Sequence, residues 1–168
     1  MVDVVPIAAI PLQALRDLLA AYGLQIQTVA AGAAIPGSYW GEPEAGLIGE
    51  VLWLRADTPV HSALHEACHF ICMDKDRRQQ LHTNAGGTDL EETAVCFLQA
   101  LLAERLQGYS QAQLFSDMDA WGYHFVLGSA AAWFGSDAED ARNYLLQQGL
   151  IDSIGVPVPG RQGKLSIP

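Results

Sequence analysis

Apolar residues recur every third or fourth position over residues 11–22, where Leu12, Leu15, Leu18 and Leu19 share one stripe and Gly23 follows as a stop. That spacing predicts a short amphipathic helix with Pro11 near its first turn. Residues 24–29 read L-Q-I-Q-T-V, the two-residue alternation of a half-buried strand. The Gly-, Ala- and Pro-rich stretch 30–46 is predicted as loop. Residues 47–55, L-I-G-E-V-L-W-L-R, form a second predicted strand, more continuously apolar and so more deeply buried.

Asp57-Thr58-Pro59 reads as a helix opening, because Thr58 can accept from free N–H groups and proline suits the first helical position. This helix is predicted to run to about Met73. Residues 74–87 are polar and end in Asn-Ala-Gly-Gly, which predicts a loop. A strong helix is expected over residues 88–107, with Leu90, Ala94, Phe97, Leu98, Leu101 and Leu102 facing inward. Further helices are expected over 110–127 and over 136–148, the latter capped by Ser136 and stopped by Gly149. From residue 152 the Pro and Gly content suggests a loosely held tail. The pattern gives an α+β protein, one domain over residues 1–168 with a helical C-terminal part.

Composition narrows the function. Half of the 168 residues are hydrophobic, enough to bury a real core. The formal net charge of −10 with only nine Lys and Arg argues against nucleic acid, since phosphate binding needs clustered basic groups. The three cysteines, Cys68, Cys72 and Cys96, sit among apolar helical neighbours and read as reduced thiols. No run approaches the roughly 20 apolar residues of a membrane span, and the first residues lack the basic start of a secretory signal. The expectation is a cytoplasmic protein with no membrane partner.

Chemistry enters at His65-Glu66-Ala67-Cys68-His69. On a helix, residues i and i+4 share a face with Cβ atoms about 6 Å apart. Both imidazoles can therefore reach one zinc ion, while Glu66 points at a water on that metal as general base. Catalytic zinc sites take three protein ligands, so a third must come from elsewhere. Thr88-Asp89-Leu90-Glu91-Glu92 offers carboxylates at the start of the next helix, after a loop long enough to set the two helices side by side.

These residues resemble the zincin metallopeptidases, in the branch whose third ligand is a glutamate from the helix after H-E-x-x-H. In that branch the glutamate sits in an E-x-x-A pattern followed by an aromatic. Glu91, Ala94 and Phe97 match it. Among small members the stretch is weakly similar to the ImmA/IrrE-like group, departing at Val95 where those proteins place Asn or Asp. The resemblance covers residues 47–102 and implies a zincin-like fold, with a small mixed sheet packed on the helix of residues 59–73 and on the helix after it. It implies a Zn2+ cofactor held by His65, His69 and Glu91, and hydrolysis of a peptide or protein substrate. It also implies that strand 47–55 is an edge strand binding extended substrate by backbone pairing. One alternative stays open: if Glu91 closes a capping box with Thr88, Glu92 becomes the ligand.

Other polar residues are secondary candidates. His61 extends the histidine stripe but lies ~12 Å along the helix axis from His69, so it is expected to support the ligands from behind or to sit at the cleft rim. Tyr123 and His124 are possible transition-state stabilisers, donors to the oxyanion that develops at an attacked carbonyl, against a plainer reading in which Trp121 and Phe125 pack a core helix. Arg55 can bind a substrate carboxylate or pair with Asp57, and His82 is placed in solvent. Two rival functions remain: a non-proteolytic zinc domain with a regulatory or interaction role, and a metal-free helical module docking a basic partner.

Overall fold

A short 3-10 turn (Ile7–Ala9), helix α1 (Leu12–Ala20) and strand β1 (Gln25–Thr28) open the fold in the computed structural model, which describes residues 3–38, 41–79, 88–125 and 128–159. Leu15 and Leu19 are the fully buried positions of α1, as the leucine stripe requires. Ile26 is the inward residue of β1.

The apolar run 47–55 is two strands, not one. β2 (Gly46–Ile48) and β3 (Val51–Leu54) form a hairpin around Gly49 and Glu50. Gly49 has φ +58°, the left-handed conformation that a tight two-residue hairpin turn demands and glycine accepts at little cost. The turn is hidden in the sequence because Leu47, Leu52 and Leu54 are all wholly buried, so the run looks uninterrupted. The sheet order is β1-β3-β2, with β1 parallel and β2 antiparallel to β3. β3 is therefore central and has no free edge. The outer side of β2 is also engaged: Ser38 bridges Gly46, and a Cβ on Gly46 would collide with the Pro36 carbonyl oxygen. Of the run expected as one edge strand, β2 lies at the edge of the sheet and β3 does not.

Helix α2 (Val60–Cys72) follows, then α3 (Lys75–Gln79), α4 (Asp89–Ala103), α5 (Gln111–Trp121), α6 (Ala130–Ser136) and α7 (Glu139–Gln147). Every residue of α2 except His65 is buried. A helix buried on nearly all sides must be surrounded, and α2 lies against β2 and β3 of the sheet, α4 and α5. α4 in turn packs between α2 and α7. The observed class is mixed α+β, as the element pattern predicted, with a small mixed sheet.

Local boundaries differ in instructive ways. Pro59 itself occupies the N-cap of α2, and Thr58 Oγ1 instead accepts from the Arg55 backbone N–H at 2.9 Å. Ser136 closes α6 rather than opening a helix; the serine caps are Ser110 and Ser129, whose hydroxyls accept from Gln113 and Ala132 N–H. The loop expected over 74–87 contains α3 in its described part. Residues 152–159 are not loose: Ile151 is buried and bridges Pro157, and Val158 N–H donates to the Leu150 carbonyl. His82 and the last nine residues lie outside the described residues. No helix among the described residues is long and apolar enough to cross a membrane.

Candidate metal centre

Among the ionisable groups of the interior helix α2 are His65, Glu66 and His69, and each must find a partner or carry a desolvation penalty. Two of them find the same one. Glu92 Oε2 is 3.0 Å from His65 Nε2, and Glu92 Oε1 is 2.9 Å from His69 Nε2. The His65 and His69 rings meet edge to face, with centroids 4.8 Å apart.

Helix periodicity explains why Glu92 is the partner. Glu92, Cys96 and Gln99 stand at i, i+4 and i+7, one face of α4, opposite the stripe His69, His65, His61 of α2. Their contacts run in opposite chain directions: Glu92 meets His65 and His69, while Gln99 accepts at Oε1 from His65 Nδ1 (3.0 Å) and donates from Nε2 to the His61 carbonyl (2.7 Å). The helices are therefore antiparallel. An amide oxygen only accepts, so Gln99 fixes the proton on Nδ1 of His65 and turns Nε2 toward Glu92.

Glu91 is elsewhere, and the sequence-based ligand set must be corrected. One residue before Glu92, it points about 100° round the helix and is buried against Arg77 of α3 in a two-pronged ion pair, 2.8 and 2.9 Å, with the Tyr144 hydroxyl of α7 at 3.4 Å. Its backbone N–H is capped by Thr88 Oγ1. The open alternative, Glu92, is the carboxylate that joins the histidines. The polar stripe Glu92-Cys96-Gln99 was the available signal: Gln99, wholly buried in an otherwise apolar segment, marks the face that meets the histidines.

The donor set fits a divalent ion. One ligand atom each from His65, His69 and Glu92 lies within 4.8 Å of the others. Two bonds of about 2.0–2.1 Å at a tetrahedral angle hold their outer atoms about 3.3 Å apart, a few tenths beyond the two separations seen. Electrostatics point the same way. Burial opposes charge on Glu92, yet hydrogen bonds from His65 and His69 outweigh it and hold the carboxyl well below its ordinary range. Burial likewise works against a charged His65, but Tyr123, Cys96 and Glu92 beside it raise it above an ordinary imidazole. The spot favours positive charge.

Comparisons with protein families, with curated proteins and with solved structures return no match. The chemistry of the site therefore rests on its own residues.

Glu66 is only 7% exposed and accepts no hydrogen bond from a described residue. Burial, aided by Glu44 and Glu92, pushes its carboxyl up, against the pull of both histidines. Glu44, which sequence reasoning overlooked because it lies in the loop 30–46, is near the group: its carboxylate accepts from Trp121 Nε1 and from the Ser62 hydroxyl, each at 3.4 Å. Tyr123 reaches the site because α5 stops at Trp121; Gly122 at φ +105° ends the helix and turns the next residue onto α2. Tyr123 then stands edge-on to both His61 and His65, its hydroxyl 3.2 Å from His61 Nδ1. Trp121 and Phe125 thus do not share one helix, and with exposed His124 they line a cavity of about 820 Å³ that also touches His65 and Glu92. Arg55 bonds Asp57, Glu42 and the Ala33 carbonyl, a structural clamp on the loop before β2. All three cysteines are free and buried.

His61 is wholly buried, and its Nε2 has no partner among the described residues. Burial, with a smaller push from His65, drives its pKa from 6.5 down to about 3. Unfolding then takes up a proton between those values, so this contribution to stability is complete above about pH 6.5 and is lost as the pH falls toward the folded value. Melting temperature followed from about pH 7 to about pH 4 should fall steeply. His61→Asn keeps a polar atom near Nδ1 without titrating and should flatten that fall; an unchanged slope would clear His61 of responsibility.

Proposed function

We propose that the protein is a zinc-dependent hydrolase that cuts peptide bonds. The observation carrying this reading is the convergence of one carboxylate, Glu92, on two histidines spaced i, i+4 on a buried helix, at 3.0 and 2.9 Å. His65, His69 and Glu92 would hold the ion. A zinc ion there would supply an acidified water and a polarised substrate carbonyl.

The chain's own groups would do the proton work. Glu66, adjacent to His65 and free of hydrogen bonds among the described residues, takes a proton at a carboxylate oxygen and returns it to the leaving amine. Its burial keeps the carboxyl more basic than usual, which suits a general base. The Tyr123 hydroxyl, held beside His61 and His65, is a donor for the oxyanion. Gln99 orients His65 from behind. The three buried thiols suit a reducing compartment such as the cytoplasm.

The cavity bordering His65 and Glu92 supports this reading over a closed structural zinc site, whose ligand shell leaves no room for substrate. The test is elemental analysis of protein purified without added metal. One equivalent of zinc is expected, with a melting temperature lowered by a chelator and the metal accessible to a peptidic hydroxamate. Zinc far below one equivalent, in protein whose melting a chelator leaves unchanged, would discard the proposal in favour of a metal-free interaction module.

A further inference from the structure

The cavity beside the candidate centre has a composition of its own. Four aromatic side chains, Trp121, Tyr123, Phe125 and Trp133, line it, and Phe125 stacks on Trp133 with centroids 4.9 Å apart. Asp89 from the start of α4, Asp137 from the turn before α7 and Asp140 from the first turn of α7 add carboxylates at its wall, and Glu44 and Glu92 add two more. No lysine or arginine lines it among the described residues. Asp89, Asp137 and Asp140 form no ion pair among the described residues, unlike Asp57, Glu91 and Glu92, which all do.

Aromatic faces attract cations through the negative face of the ring, most strongly in arginine's planar guanidinium. Carboxylates grouped at a concave mouth raise the local concentration of positive ligands. An anionic side chain would face five carboxylates here, and a purely apolar one would leave Asp89, Asp137 and Asp140 without a counter-charge. At about 820 Å³ the space is of the size that takes a peptide side chain with part of its backbone. The overall charge of −10 adds attraction at longer range.

We propose that this cavity is a side-chain pocket for arginine or lysine, so that the preferred ligands are basic peptides; that they are also substrates rests on the hydrolase reading above. Binding and cleavage are separable by experiment. Acetylated, amidated pentapeptides Ala-Ala-X-Ala-Ala with X as Arg, Leu or Glu are titrated into Glu66→Gln protein, which keeps a bound peptide intact, and followed by calorimetry and by fluorescence of the cavity tryptophans. The Arg peptide is expected to bind about tenfold tighter than the Leu peptide and the Glu peptide more weakly still, with the advantage shrinking in added salt. Asp137→Asn combined with Asp140→Asn, both exposed positions, should reduce that advantage to about threefold or less. Equal affinities, absence of binding, or a preference untouched by both salt and the double substitution would overturn the pocket. Wild-type protein and the same peptides, analysed by mass spectrometry, judge the other claim. An Arg peptide that binds but is never cut keeps the pocket and removes the hydrolase, whereas cleavage of all three alike does the reverse.

Discussion

Glu92→Gln is expected to lower zinc affinity by at least about a hundredfold, because loss of a group that only orients a ligand commonly costs about 10- to 100-fold and this change removes a ligand charge. Glu91→Gln is expected to leave zinc bound. The neighbouring residues should separate because their contacts do: Glu92 bonds both histidines, whereas Glu91 bonds Arg77 and Tyr144. The second variant should instead lose stability. It breaks a two-pronged ion pair whose carboxylate is buried but whose guanidinium is about one-third exposed, so Arg77 can rehydrate and the cost falls below the 3–5 kcal/mol of a fully buried pair, at about 2 kcal/mol. For a domain of this size that is a melting shift of roughly 4–8 °C. Competition with a chromophoric chelator reads the affinities, and thermal melts of the metal-free proteins read the stabilities. The opposite pattern, with zinc lost on changing Glu91 and kept on changing Glu92, would return the third ligand to Glu91.

Glu66→Gln should keep a full equivalent of zinc and lose hydrolysis by about 10²–10⁴-fold, the range that a positioned general base contributes. Stability should not fall. Burial already disfavours charge on Glu66, and no described residue donates a hydrogen bond to it, so a neutral isostere removes a desolvation cost and sacrifices no bond. Glu66→Asp retains the charge but withdraws the carboxylate by one methylene, and should recover part of the rate at most. Steady-state cleavage of a peptide identified by mass spectrometry, alongside metal content, measures both. Undiminished turnover in Glu66→Gln would take the base away from Glu66 and require another acceptor, such as Glu44, whose charge acts on Glu66.

Much of the fold can be read from periodicity because burial of one face is a local property of the chain. Leu15 and Leu19 on α1, Ile26 on β1 and Ala94, Phe97, Leu98 and Leu102 on α4 follow the spacing of the apolar residues. Leu90, expected inward at the start of α4, is exposed instead, because it lies in the first turn, beyond the packed part of the helix. The hairpin of β2 and β3 reads as one strand because its half-buried positions, Ile48, Val51 and Trp53, are as apolar as its buried ones, so the turn at Gly49 leaves little break in the run. The end of α5 failed for a different reason. Gly122 looks like any helical glycine until the backbone takes φ +105°, and that one residue decides whether Tyr123 continues a helix or faces His61 and His65.

The sequence by itself determined that His65 and His69 share a face, because 3.6 residues per turn leaves no other outcome for an i, i+4 pair on a helix. It also determined that Glu66 sits beside them and that an acidic helix start follows within reach. Only the tertiary structure decided between Glu91 and Glu92. They differ by one residue, about 100° of rotation, and which one faces the histidines depends on how α4 turns about its own axis as it packs between α2 and α7. That rotation is set by burial over the whole helix, from Ala94 and Leu98 on one side to Gln99 on the other, and no single motif in the chain encodes it.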